Sequence, residues 1–256
     1  MESWELMLAS DWTQVAWLGV VFVLLLLLKR WMSQHLQGVA LLLSGNNETA
    51  ALLYYLSLLP GIVLHELSHV LAAELVGVET TRISVRPTAA RGKRLRLGSV
   101  TVKPSDPVRE SWIGLAPLLT GTTVILVLAR WRFGIEALPA LRPDTLLQLF
   151  AACLQTPDAW LWLYLIFAIS NAMLPSESDR RPWLPVVLFL ALLVVVFCAS
   201  GFSTQIPAAL RQWTLAAVTH LALSFGLAVV VDLVFAVVIL VLEKAGEAVL
   251  RRRVEY

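Results

Sequence analysis

Hydrophobic positions in this chain come in long blocks instead of the short alternations of a water-soluble fold. Six blocks run over about 12–28, 50–76, 112–131, 159–174, 183–202 and 213–242. Blocks near or above about 18 residues with few charges have the length of a helix that crosses a bilayer. Lys29 and Arg30 stand at the end of the first block and are expected to stop it. A shorter apolar stretch, 36–44, is too brief to cross and suits the membrane interface. The second block carries Pro60, which neighbouring helices can absorb inside a membrane.

Polar character returns abruptly at 78–109. That segment holds Arg82, Arg86, Arg91, Lys93, Arg94, Arg96, Lys103 and Arg109, and its pieces RISVRP and LRLGSVTVKP read as short strands about a turn. The stretch 132–157 is mixed and amphipathic, which argues for a place outside the membrane. The expected architecture is a single all-α polytopic membrane domain over 1–256. It has about six transmembrane helices and a small β-hairpin inserted after the second.

Composition turns the pattern into a membrane assignment. The chain is 58% hydrophobic and 15% charged, against roughly 25% charged in an ordinary soluble domain. Its mean hydropathy is +0.76. A net charge of +2 is too small to argue for nucleic acid, so the expected partner is the lipid bilayer. Basic residues mark cytoplasmic loops. Six alternating helices put the 78–109 segment, Arg180–Arg181 and Arg251–Arg253 on one face, which makes the C-terminus cytoplasmic. The expected location is a prokaryotic cell membrane. The first helix resists this scheme, because the acidic start (Glu2, Glu5, Asp11) and Lys29–Arg30 argue for an outside N-terminus. That start also lacks the basic region of a cleavable signal peptide. Cys153 and Cys198 are too few for a disulfide framework.

The second block contains His65-Glu66-Leu67-Ser68-His69, an HExxH. Residues four apart on a helix share a face, so both imidazoles can reach one metal. Glu66 lies about 100° round from His65 and can reach a water on that metal. Two histidines, a carboxylate and an open fourth position make a catalytic zinc site, with the glutamate as general base. Ionisable groups within a membrane are costly and mark function by default. The competing reading is a hydrogen-bonded cluster between helices with no metal. A third ligand is needed. Glu74 faces about 140° away from His69 on the same helix, and is expected to pair with a following arginine. Glu79 is also too close along the chain, and Asp106 lies in the basic loop. Asp179, at the end of SNAMLPSESDRR, falls on the same membrane side as the HExxH helix exit and could meet the histidines.

In three separated places the chain resembles the site-2 protease family of intramembrane zinc metalloproteases. That family carries HExxH in one transmembrane helix and, later, an Asn/Pro-rich turn with a metal-binding Asp. Asn171, Pro175 and Asp179 are similar to that element. The 78–104 segment resembles the β-hairpin that the family inserts after its HExxH helix, and Ser111–Gly121 resembles, loosely, a small-residue element of the next helix. The likeness covers about residues 50–182. Arg180 stands where the family usually has Gly, the proline spacing differs, and no PDZ- or CBS-like module is recognisable, as in a divergent, minimal member. The resemblance implies that His65, His69 and Asp179 hold one zinc ion per chain and that Glu66 activates the water. It implies that Asn171 holds the substrate backbone or polarises its carbonyl, and that the hairpin offers an edge to an extended substrate. The substrate would be a membrane-spanning protein cut near its cytoplasmic end.

Other classes compete. A different membrane metallopeptidase would use a glutamate as third ligand. A catalytically idle scaffold, or a metal transporter or sensor, would keep the histidines for another end. His220 and Asp232 lie in the sixth block about 120° apart round the helix, so interhelical hydrogen bonding is the expected role for each.

Overall fold

A computed structural model describes residues 2–84, 88–89, 95–96, 98–134, 155–199 and 208–250. In chain order the elements are α1 (Glu2–Ser44), α2 (Asn47–Leu75), β1 (Thr80–Ser84), β2 (Thr88–Ala89), β3 (Leu95–Arg96) and β4 (Ser99–Val102). There follow α3 (Pro107–Phe133), α4 (Ala159–Met173), α5 (Glu177–Arg180), α6 (Trp183–Ala199) and α7 (Ala208–Leu250). Most of the amphipathic 132–157 stretch, Cys153 and the Arg251–Arg253 tail fall outside the described residues, as do Arg86, Arg91, Lys93 and Arg94.

The apolar blocks are helices, but their ends depart from the sequence pattern. α1 runs unbroken through Lys29 and Arg30 and takes in 36–44, which is therefore no separate interfacial piece. Lysine and arginine are good helix formers. They change the polarity of a helix without ending it. The turn comes instead at Gly45, with φ of 65°, and Asn46 caps α2 by accepting from Glu48 N at 2.9 Å. Among the described residues four helices are long and apolar enough to span a membrane alone: Thr13–Ser44, Asn47–Leu75, Pro107–Phe133 and Ala209–Leu250. The fourth and fifth sequence blocks behave otherwise. α4 has only 15 residues, about 22 Å of helix against a hydrocarbon core of about 30 Å. It qualifies only together with Glu177–Leu193, bent by 52° at the break around Pro175, so length and composition support four spans, or five with the bent pair.

Packing brings α1 against α7 and α2 against both α3 and α4. Leu25, Ile125, Ile166, Leu227 and Val231 fill the centre. Two contacts depend on missing side chains. A Cβ on Gly61 would run into the Ala168 carbonyl of α4, and one on Gly121 would press on Met173. Small residues let helix backbones approach closely where lipid supplies no hydrophobic drive for association. Outward, Leu27, Leu71, Val127, Leu188 and Val241 are exposed, an apolar surface suited to lipid. The protein has the build of an integral membrane protein.

The expected antiparallel ribbon lies within Thr80–Val102, and the end of the 78–109 segment is instead the first turn of α3, which Pro107 opens and Asp106 caps. β1 pairs with β4 (Ile83↔Val100, Ser84↔Ser99), with an irregularity between Thr80 and Arg82, and β2 pairs with β3 beyond them. Its base is closed by Lys103 N donating to Glu79 O at 3.0 Å. The Lys103 ammonium also pairs with the exposed Glu79 side chain, holding that carboxyl below the usual range. Gly77, with φ of 71°, lets the chain leave α2 and turn Val78 into a small buried cluster with Ala72, Ala73, Ile113 and Ala116. That cluster ties the ribbon to α2 and α3.

Candidate metal centre

His65 and His69 lie one turn apart on α2, and their Nε2 atoms are 3.2 Å from each other. The third group arrives from a different part of the chain. After α4 breaks at Pro175, Ser176 caps the short α5, and the local sequence Ser-Glu-Ser-Asp forms a capping box. Asp179 Oδ2 accepts from Ser176 N at 2.7 Å, and Ser176 Oγ accepts from Asp179 N at 3.4 Å. The box turns the carboxylate back toward α2. Asp179 Oδ1 lies 3.5 Å from His69 Nε2, and Oδ2 lies 3.7 Å from His65 Nε2. His65, His69 and Asp179 thus form a possible metal-binding triad, the only such group among the described residues.

The donor set fits a small divalent ion on geometry. Tetrahedral bonds of about 2.0–2.1 Å put ligand atoms about 3.3 Å apart. The two Nε2 atoms stand 3.2 Å apart, close to that edge, and each histidine faces its own oxygen of Asp179, at 3.5 and 3.7 Å, so that one donor atom from each residue lies within 4.8 Å of the others. The tautomer fits too. His69 Nδ1 is 2.9 Å from the Ile113 carbonyl oxygen, to which it must donate. Its Nε2 is then left with a lone pair, the usual outer-shell arrangement of a metal-bound histidine. His65 Nδ1 is buried without a hydrogen-bond partner.

Two glycines admit this arrangement. A Cβ on Gly114 would collide with the Asp179 backbone carbonyl, so α3 touches α5 only because that position is bare. Gly114 follows Ile113, whose carbonyl holds His69. One turn of α3 therefore supports two of the three donors. At the other side, a Cβ on Gly98 would overlap the Glu66 carboxylate, which rests against the start of β4. Glu66 and His69 are buried, at 7% and 6% exposure.

All four residues line one cavity of about 1150 Å³, which reaches Lys29, Asn171 and the β4 residues Ser99, Val100 and Val102. Asn171, eight residues before Asp179, is on this wall as expected, but its amide nitrogen is engaged elsewhere, with Phe167 O and Asp232 Oδ1, each at 3.0 Å. The three rejected carboxylates stand outside the triad, and among the described residues no arginine pairs with Glu74. Asp106 caps α3, accepting from Val108 N and Arg109 N at 3.1 Å, Glu79 pairs with Lys103, and Glu74 is exposed outside the triad. Asp232 makes the interhelical bonds expected of it. His220 does not: its Nδ1 lies 2.6 Å from Ala216 O of its own helix, because the side chain faces outward. Sequence reasoning missed Lys29 as a cavity residue. The clue was a charge inside an apolar helix that nothing terminates. Gly98 carried no sequence signal, and Gly114 was marked only as part of the small-residue stretch Ser111–Gly121.

No protein-family description, curated protein or solved structure matches this chain.

Proposed function

We propose that this chain is an intramembrane zinc metalloprotease that hydrolyses a peptide bond of a membrane-spanning substrate near the cytoplasmic side. What carries the reading is the meeting of His65, His69 and Asp179, from two distant parts of the chain, with one donor atom from each within 4.8 Å of the others, beside the buried Glu66. Zinc held there would polarise the scissile carbonyl and lower the pKa of its bound water. Glu66 would be the base that takes a proton from the attacking water and returns it to the leaving nitrogen as the C–N bond breaks. The neighbouring Gly98 backbone walls the carboxylate against solvent. The β4 edge on the cavity suits an extended segment, whose backbone hydrogen bonds must be supplied by the protein once a substrate helix unwinds. In this proposal α4 and α6 act as two separate short spans of a six-helix protein with a cytoplasmic C-terminus in a prokaryotic cell membrane.

The test is zinc stoichiometry of the detergent-purified protein, with His65→Ala, Asp179→Ala and Glu66→Gln beside it. It is paired with cleavage of single-span test proteins in reconstituted vesicles. About one zinc per chain is expected, lost in the first two variants and kept in Glu66→Gln, whose cleavage is abolished. Wild-type protein without zinc after reconstitution, or cleavage that survives Glu66→Gln, refutes the proposal.

A further inference from the structure

Asp232 is completely buried in α7, and a carboxyl group at such a position is expensive. Its bonds explain what it does there. Oδ1 accepts from Ser170 Oγ and from Asn171 Nδ2, both at 3.0 Å, while Oδ2 has no hydrogen-bond partner. Both of its direct partners are neighbours on α4, and one of them lines the cavity of the candidate metal centre.

The orientation of the Asn171 amide follows from chemistry. Nδ2 faces Phe167 O and Asp232 Oδ1, each at 3.0 Å, and at 3.4 Å the Ser170 hydroxyl oxygen. A main-chain carbonyl can only accept, and Oδ1 accepts whether or not a proton sits on Oδ2. Turning the amide over would set its oxygen against both acceptors and leave a buried N–H unpaired. The amide is therefore held with both N–H groups directed into the protein, which leaves Oδ1 as its unused end.

We propose that Asp232 is a positioning residue that makes Asn171 an acceptor, through which the site takes a backbone N–H of an extended peptide. The inference rests on the metalloprotease reading and narrows it. Asn171 does not polarise the scissile carbonyl, because both of its donors are spent inside the fold.

The experiment uses the full chain in detergent and two probes. Acetohydroxamate reports the metal alone, and a dipeptide hydroxamate adds an extended backbone. Asp232→Leu is expected to weaken the dipeptide probe about tenfold, while acetohydroxamate affinity and zinc content stay at wild-type values. Asp232→Asn, whose side-chain oxygen can still accept from Asn171, should restore most of the loss. Asn171→Leu should lose the same tenfold, and the double Leu variant no more than either single one. A second measurement needs no Asp232 variant. Methylating the backbone N–H that meets Asn171 should weaken the probe about tenfold in the wild type and not at all in Asn171→Leu. Equal weakening of both probes by Asp232→Leu, or indifference of the wild type to methylation at every backbone nitrogen, overturns the proposal. Failure of the underlying reading looks different: the wild type then binds neither zinc nor acetohydroxamate, and the positioning role falls with it.

Discussion

Gly114→Ala adds one methyl group in a helix interior, where alanine is the better helix former by about 1 kcal/mol. On propensity alone the variant should be more stable. The structure predicts the opposite at the proposed metal site. The new Cβ would stand against the carbonyl oxygen of Asp179, with the carbonyl carbon at 3.1 Å and Cα at 3.3 Å. Backbone cannot rotate away as a side-chain tip can, so α5 must retreat by about 1 Å to regain ordinary contact. Asp179 sits 3.5 and 3.7 Å from the two histidine nitrogens. Metal–ligand distances tolerate about 0.2 Å, so a shift of that size pulls the carboxylate out of coordinating range. The same turn carries the Ile113 carbonyl that orients His69. Loss of such outer support lowers metal affinity by about 10–100-fold. The assay is zinc retention against a graded series of chelators, with far-UV circular dichroism and a thermal melt to show that the bundle persists. A Gly114→Ala protein that keeps its helical signal and holds zinc as tightly as the wild type would refute the close-contact argument.

Three further outcomes follow from the same geometry. Gly98→Val should push the Glu66 carboxylate off the cavity wall; on the proposed function, hydrolysis falls by about 100-fold, the scale of a lost general base, while zinc stoichiometry measured on the same sample is unchanged. Ser176→Ala removes the hydroxyl half of the capping box, a loss of about 1 kcal/mol that should appear as about fivefold weaker zinc binding in a chelator competition. Gly61→Leu drives a side chain into the Ala168 carbonyl between α2 and α4; overpacking of this kind costs about 1–3 kcal/mol and should lower the unfolding midpoint in a denaturant titration of the detergent-solubilised protein.

Block length and charge determined, without any coordinates, that this is a helical membrane protein with a basic two-stranded insertion after its second apolar block. They did so because bilayer thickness and strand alternation are written locally, in runs of consecutive residues. HExxH was legible for the same reason, since a four-residue spacing on one helix already puts two imidazoles on one face. Helix ends were less legible: Lys29 and Arg30 looked like a stop, yet a charged residue breaks no helix, and only its neighbours in space decide whether it faces water, lipid or a cavity. The short α4 counted as a span in the sequence, while by length and composition it qualifies only together with the helix across the bend at Pro175. Beyond α2 the sequence offered Asp179 and Asn171 as candidates, and how they reach the site belonged to the tertiary structure. Asp179 reaches the histidines because a capping box turns it and a bare Gly114 admits it, and Asp232 reaches Asn171 across 61 positions of chain. Such pairings leave no periodic trace, because they are set by the distance between helices, and that distance is decided by which side chains are missing at the crossing.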